Sequence, residues 1–295
     1  MDASNSQSLK HVKYIMDLEP FPDDVLLVIL SFVPSLDLLK SCRLVSKRWL
    51  RLVDTPTLWK IKCQQKWRKE VFNSALSIPN VNWQRIFMKE PFLRNLIRNP
   101  CGTDGLKHWR CMHGGDGWKV EDNHFPLEVA DSQTSFVTSF EWCKKNQLVD
   151  LIKEGLWEDL MDNHPPSICI SDWYAGRRDC GCVYEIRVQL LSEDRKHVID
   201  EFKASPDPIP QWNDGNYHQV FHVFNDYGPG VRFVRFSHKG KDTQFWKDWY
   251  GPRITNSSVI VTIKNHEEVC GSTPRLNKSE KYHLNPKKVK KSPNK

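Results

Sequence analysis

The chain has 295 residues, a length that predicts one large domain or two modest ones. It carries 43 Lys and Arg against 36 Asp and Glu, for a net charge of +7. No apolar run is long enough for a transmembrane helix, and the polar N-terminus predicts no signal peptide. Nine cysteines without framework spacing favour free thiols in a reducing compartment.

The first predicted elements are short helices. Pro22 suits the first position of a helix, and Asp23 and Asp24 favour the positive end of its dipole. The helix is expected to end before Pro34, because proline disfavours an α conformation in the residue before it. The predicted caps of the following helices are Ser35, Ser46 and Thr55.

The first helix has more apolar side chains than a three-helix unit can bury. Residues 25–30 are all Val, Leu or Ile, so some of them are expected to face a partner. Phe21-Pro22, the Cys-Arg-Leu-Val-Ser segment at 42–46, Arg48-Trp49 and Leu58-Trp59 complete the pattern. It resembles an F-box, the adaptor motif that docks on Skp1 in SCF ubiquitin ligases; the alternative is an ordinary helical core. The resemblance implies Skp1 contacts at Pro22, Leu26, Ile29, Leu30, Leu38, Leu39, Leu44 and Val45.

The segment after the F-box is predicted to be a helical linker that fixes the angle of a second domain. Apolar residues at helical spacing predict one or two helices over 81–98, whereas Ser, Asn and Pro predict a loop over 72–79. The predicted parts of the chain are a polar leader (1–19), the F-box (20–66), the helical linker (67–98), the second domain (99–264) and a disordered basic tail (265–295).

The second domain is predicted to be an antiparallel β-sandwich, which makes the fold multidomain, α followed by all-β. Val183–Leu191 is the clearest half-buried strand, because Tyr184, Ile186, Val188 and Leu190 alternate with polar or smaller residues. A short helix is expected within 148–161, ending at Gly155 or continuing to Met161. The other predicted strands are 167–174, 197–202, 219–225, 232–237 and 258–263.

Several longer motifs in this domain identify a family. Gly114–Trp118, Asp226–Phe233 and Trp249–Arg253, with other matches between residues 95 and 262, resemble the F-box-associated (FBA) domain of the sugar-recognising F-box family. The resemblance implies a ten-stranded, jelly-roll-like sandwich whose end loops bind the chitobiose core of N-linked high-mannose glycans. It also implies that misfolded, retrotranslocated glycoproteins are presented for ubiquitination and ER-associated degradation in the cytosol.

The resemblance implies a sugar site of five residues. Trp246 is expected to stack on an N-acetylglucosamine ring and Lys247 to donate to its oxygens, with Phe245, Phe140 and Asp179 lining the pocket. A pyranose has apolar C–H faces and a rim of hydroxyls, so an aromatic plate with a few polar groups suits it. The alternatives are a plug of the sandwich core for the aromatic residues and a surface ion pair for Asp179. Assigned to the fold are Trp142, Trp173, Trp249 and Tyr227.

One segment departs from the family pattern. The loop that supplies asparagine contacts in sugar-binding members corresponds here to 121–135, which is shorter and contains only Asn123. The alternative function is therefore an SCF adaptor whose sandwich recognises a protein degron.

Enzymatic and nucleic-acid functions are not predicted. Cys180-Gly181-Cys182 lacks the Cys-x-x-Cys spacing of redox or zinc sites, and His218 and His222 are about 13 Å apart on a strand. No catalytic residue, cofactor or metal is expected. The basic residues are spread out, except for Lys287–Lys291, which would serve as a nuclear-import signal or solubilise the chain. The expected partners are Skp1, through it cullin-1 and the RING subunit, and N-glycosylated proteins; no nucleic acid or membrane is expected, and the location is cytoplasmic, with nuclear import through the tail.

Overall fold

The computed structural model describes residues 20–67 and 69–263. It divides into two compact units, one ending at Pro91 and the other beginning at Phe92. Within the described ranges, no helix has the length and apolar character that a membrane crossing needs. The predictions for the leader and the basic tail concern residues outside those ranges.

The helices of the first unit begin close to the predicted signals. Asp23 and Asp24 occupy the first turn of α1, and the Ser46 hydroxyl caps α3 by accepting from the Trp49 amide at 3.2 Å. The cap predicted at Ser35 is wrong by one residue, because Pro34 occupies the cap position. The helices are α1 (Asp23–Ser31), α2 (Ser35–Lys40), α3 (Lys47–Asp54), α4 (Pro56–Lys66), α5 (Lys69–Leu76) and α6 (Trp83–Lys89), with a 3-10 turn at Cys42–Leu44.

A buried lysine closes the end of α1. The Lys62 ammonium donates to the carbonyl oxygens of Ser31 and Val33, both at 2.8 Å. These carbonyls lie at the C-terminal end of the helix, where backbone acceptors lack partners within the helix. Burial lowers the pKa of Lys62. The first helix is thus held to α4 by a specific polar contact in addition to apolar packing.

The predictions for residues 72–98 need two corrections. The predicted loop at 72–79 is largely α5, in which Phe72 is buried with its ring centroid 5.5 Å from that of Trp83. The helix predicted over 81–98 ends at Lys89, and the following Glu90 has a left-handed φ of +46°. Beyond it, the Leu93 amide donates to Val261 O at 2.9 Å, so this part of the predicted linker packs as an irregular segment in the second unit.

The second unit is the predicted antiparallel sandwich. Its two five-stranded sheets have the orders β1-β4-β9-β6-β7 and β2-β3-β10-β5-β8. The inward-facing set of β6, from Tyr184 to Leu190, is buried as predicted. The strands are β1 (Arg110–Met112), β2 (Lys119–Asp122), β3 (Thr134–Val137), β4 (Cys143–Asp150), β5 (Ser167–Ala175), β6 (Cys182–Leu191), β7 (Val198–Ala204), β8 (His218–Phe224), β9 (Phe233–Asp242) and β10 (Arg253–Thr262).

Two further expectations for this unit are corrected. The helix expected within 148–161 is replaced by the end of β4 and a turn, and helix α7 lies later, at Glu158–Asn163. The spacing of the apolar residues in 148–161 did not distinguish a strand from a helix, because either element would bury several of them. Among the described residues seven cysteines are free, whereas Cys169 is disulfide-bonded, so the expectation of free thiols fails there.

Candidate functional site

Five loops meet at one end of the sandwich, here called the loop end. They are residues 113–118, 138–142, 176–181, 205–217 and 243–252, each joining strands at the edge where β9 ends and β10 begins. Four aromatic side chains in these loops are at least 38% exposed. In contrast, the loops at the opposite end (151–166, 192–197 and 225–232) hold no exposed large apolar side chain. These four residues are Trp142, Trp212, Phe245 and Trp246.

The predicted Phe245-Trp246-Lys247 segment is a loop with a fixed backbone. The buried Asp242 side chain accepts from the Gln244 amide at 2.9 Å and from the Phe245 amide at 2.6 Å. Phe245 has a left-handed φ of +56° and is 68% exposed. A non-glycine residue in this conformation is held there by its surroundings. The alternative that these aromatic residues plug the sandwich core is therefore wrong.

Trp246 is supported from the side. Its ring meets Tyr250 edge-to-face, with centroids 5.3 Å apart and an interplanar angle of 89°. Trp246 remains 38% exposed, and Lys247 is also exposed. A supported ring with a cation next to it has the composition that a pyranose ligand requires.

Hydrogen bonds join three of the loops beneath these aromatic residues. The Ser139 hydroxyl donates to Asp248 O at 2.9 Å and accepts from the Asp116 amide at 3.0 Å. The Asp116 carboxylate in turn accepts from the Asp248 amide at 2.7 Å. Phe140 is half-buried below Gly115, where a Cβ atom would lie 2.9 Å from its ring. Phe140 thus belongs to the floor of the loop end.

Asp179 is connected to the aromatic residues through an arginine. Arg177 forms an ion pair with Asp179 at 2.7 Å, and its guanidinium lies 4.2 Å from the centroid of the Tyr250 ring. Since Tyr250 supports Trp246, the loops at 176–181 and 243–252 form one continuous surface. The ion pair of the alternative interpretation exists, and its arginine packs on the ring that supports Trp246.

Asn123 is engaged within the chain. Its side-chain oxygen accepts from Tyr217 Oη at 2.9 Å, and its amide nitrogen lies 3.3 Å from Gln133 Oε1. The shorter loop at 121–135 therefore uses its single asparagine to hold its own position.

The cysteine pair considered for catalysis has the wrong electrostatics for a nucleophile. Burial raises the pKa of Cys180 to about 11 and raises that of Cys182 still further. A reactive thiolate requires a lowered pKa. The two histidines pack on aromatic rings, His218 on Tyr174 and His222 on Phe202.

The first unit also has an exposed apolar surface. Leu44 is 83% exposed, Phe32 75% and Val45 60%. Of the eight predicted Skp1 contacts, Pro22, Ile29, Leu44 and Val45 are exposed and Leu39 is half-buried. The assignment is wrong for Leu26, Leu30 and Leu38, which are at most 1% exposed because they form the core of the unit.

Comparison with known proteins identifies both units. An F-box-like family model matches residues 21–65, and the F-box associated region model matches residues 87–261. The chain belongs to the F-box proteins that carry an F-box associated region. It is 45% identical to F-box only protein 27 of Mus musculus over 84% of this chain and 92% of the relative. It is 44% identical to F-box only protein 2 of Bos taurus (83% and 84%) and 42% identical to F-box only protein 17 of Homo sapiens (84% and 93%).

Two aromatic residues of this F-box protein were not predicted at the site. Trp142, assigned above to the fold, is 38% exposed, with the ammonium of Lys239 4.0 Å from its ring centroid. Trp212 is the more exposed, at 77%. The signal that located Trp246, a large aromatic residue inside a run of turn residues, is also present at Trp212-Asn213-Asp214-Gly215.

Proposed function

We propose that this F-box protein is the substrate-recognition subunit of an SCF ubiquitin ligase, and that its sandwich binds the chitobiose core of N-linked high-mannose glycans. The helical unit docks on Skp1 and thereby joins cullin-1 and the RING subunit. The substrates are misfolded glycoproteins that enter ER-associated degradation from the cytosol. The ligase performs the transfer of ubiquitin, and this chain supplies binding alone.

The observation that carries the glycan proposal is the concentration of exposed aromatic side chains at the loop end. Aromatic rings exposed on a rigid backbone cost free energy in water, and a ligand that covers them recovers it. The apolar faces of N-acetylglucosamine suit Trp246 and Phe245, and its hydroxyl and amide groups suit Lys247 and Asp179. Phe140, half-buried beside Gly115, is the residue we assign to the acetyl methyl group.

The observation that carries the Skp1 proposal is the apolar surface left on the helical unit. Phe32, Leu36, Leu44 and Val45 are each at least 57% exposed. A unit of short helices does not bury these residues itself, so a partner surface accounts for them. Phe32 and Leu36 replace the buried leucines among the proposed contacts, next to Pro22, Ile29 and Leu39.

Calorimetric titration of the full chain with chitobiose tests the glycan proposal. Saturable binding that disappears in Trp246→Ala is expected. Phe221→Ala is the matched control, since Phe221 is 41% exposed but lies on β8, away from the loop end. If chitobiose does not bind to the folded chain, or if Phe221→Ala has the same effect as Trp246→Ala, the proposal fails.

Co-purification with Skp1 tests the docking proposal. Leu44→Asp is expected to abolish co-purification and to leave chitobiose binding unchanged. Leu148→Asp is the control, because Leu148 is an exposed leucine on the sandwich. Full retention of Skp1 by Leu44→Asp would contradict the proposed surface.

Recognition of a protein degron is the second candidate. The observation in its favour is Asn123, which binds Tyr217 and Gln133 and thus occupies the hydrogen-bonding groups that a glycan would need from this loop. Under this candidate Trp246→Ala lowers the capture of a deglycosylated substrate as much as that of the glycosylated form.

A further inference from the structure

The loop between β7 and β8 presents one tryptophan to solvent in a fixed conformation. Trp212 is 77% exposed and has a left-handed φ of +63°. Large side chains rarely adopt this conformation, and they keep it only where the neighbouring structure imposes it. At Trp212 the loop therefore keeps a strained backbone conformation together with an exposed apolar side chain.

The neighbouring Asn213 imposes this conformation. Its side-chain amide donates to Arg177 O at 2.7 Å and to Pro210 O at 2.9 Å, and its backbone amide donates to Arg178 O at 3.1 Å. These acceptors belong to the loop at 176–181 and to the β7–β8 loop itself. The residue after Trp212 is thus bonded to the loop that carries Asp179.

A series of contacts connects Trp212 to the proposed sugar site. The 176–181 loop contributes Arg177, which pairs with Asp179 at 2.7 Å and lies 4.2 Å from the Tyr250 ring centroid. Tyr250 in turn supports Trp246, with centroids 5.3 Å apart. The loop end therefore has an exposed aromatic group at each end of this series of contacts and a carboxylate along it.

We propose that Trp212 is a second carbohydrate platform, which binds a hexose of the same glycan beyond the two N-acetylglucosamine residues. A C–H face of the hexose packs on the indole ring, and hydroxyl groups at its edge donate to the Asp179 carboxylate. This inference rests on the proposed function, since it extends the ligand held at Trp246. It makes this chain bind hexose-bearing glycan cores more tightly than free chitobiose.

Titration calorimetry with two ligands tests the inference on the full chain. The ligands are chitobiose and trimannosyl-chitobiose, and the proteins are wild type, Trp212→Ala, Trp212→Phe, Trp246→Ala and the control Phe221→Ala. Trp212→Ala is expected to bind chitobiose like wild type and to bind the larger glycan about three- to tenfold more weakly. Trp212→Phe is expected to restore part of that loss, which separates the role of an aromatic face from a role in folding.

Each other result overturns the platform. If Trp212→Ala binds both ligands like wild type while Trp246→Ala loses chitobiose, the proposed function stands and the platform does not. Equal weakening for both ligands would make Trp212 part of the chitobiose site. If only a glycosylated protein, and neither free glycan, binds more weakly to Trp212→Ala, then Trp212 contacts polypeptide. If wild type binds neither glycan, the proposed function fails and the platform with it.

Discussion

Two regions of the sandwich depart from the usual distribution of apolar side chains inside and polar side chains outside. One is a cluster of polar side chains in the interior, and the other is the set of exposed aromatic side chains at the loop end. In the interior, Asp172 accepts from Tyr184 Oη and from His238 Nδ1, each at 2.5 Å. The Ser257 hydroxyl donates a third bond to Asp172 at 2.7 Å. These polar groups bind one another within the chain, although His238 Nε2 has no hydrogen-bond partner among the described residues. The aromatic residues of the loop end instead remain exposed. The interior groups therefore build the fold, whereas the loop-end groups are the ones proposed to bind a ligand.

The interior cluster also crosses the sandwich. Asp172 on β5 and Ser257 on β10 belong to one sheet, and Tyr184 on β6 and His238 on β9 belong to the other. Buried polar groups are tolerated when each has a partner, and they then hold the two layers in one relative position. Lys145 on β4 lies among the same side chains. We therefore expect changes in the cluster to affect stability and changes at the loop end to affect binding.

The largest effect is expected for Asp172→Ala. The substitution leaves three buried donors without their acceptor, so the free energy of unfolding should fall by about 3–5 kcal/mol. Denaturant unfolding measures it. Glu185→Ala is the control, because it removes a surface ion pair with Lys239 and should cost less than about 1 kcal/mol. Equal losses in the two variants would contradict the structural role of the cluster.

In contrast to Asp172→Ala, the substitution Lys145→Met is expected to stabilise the protein. Lys145 is fully buried, and among the described residues its ammonium has no hydrogen-bond partner. Burial lowers its pKa well below the usual range. An apolar side chain of similar length should raise the free energy of unfolding by about 1–3 kcal/mol.

The control for that substitution is Lys144→Met, at the neighbouring, partly exposed position, where a change of less than about 0.5 kcal/mol is expected. A loss of stability in Lys145→Met would show that the ammonium, 3.3 Å from the Trp109 ring centroid and 3.5 Å from that of Phe136, is held by its cation–π contacts.

Stability should also fall as the pH is lowered from about 6.5 to 4. Burial, followed by the charge of Lys145, lowers the pKa of His238 to about 4. Between that value and the ordinary histidine pKa of about 6.5, the unfolded chain binds a proton that the folded chain excludes, so acid favours unfolding. The slope contributed by His238 approaches about 1.4 kcal/mol per pH unit. Unfolding midpoints measured across this range should vary less in His238→Gln; an unchanged slope would contradict the assignment.

The smallest effect on stability is expected at the loop end. Phe245→Ala removes a ring that is 68% exposed, so the free energy of unfolding should change by about 0.5 kcal/mol or less. Trp246→Ala also loses the edge-to-face contact with Tyr250, which contributes about 0.5–1.5 kcal/mol. Chitobiose binding, measured in parallel, should be lost in Trp246→Ala. A loss of several kcal/mol in either variant would place the ring in the fold and would remove the contrast with the interior cluster.

Local sequence patterns were sufficient where the local structure depends only on residues that are close together in the chain. The alternation of β6 and the cap at Ser46 follow from the nearest residues alone, and the loop position of Trp246 follows from its flanking turn residues. The same reasoning failed at residues 92–97, because the helical spacing of apolar residues is also met by an irregular segment that is buried beside β10. It failed again at Phe72, where turn-forming residues lie inside α5.

The sequence by itself determined the family, the two-unit organisation and the antiparallel sandwich, and it predicted the loop position of Phe245, Trp246 and Lys247. Only the tertiary structure decided the order of the strands, the burial of Leu26, Leu30 and Leu38, and the grouping of Trp142 and Trp212 with Trp246. The physical reason is that burial depends on which distant elements cover a side chain. A leucine of α1 and a tryptophan of a loop carry the same local signal whether they are covered or exposed. Helix packing decides the first case, and strand pairing and loop contacts decide the second.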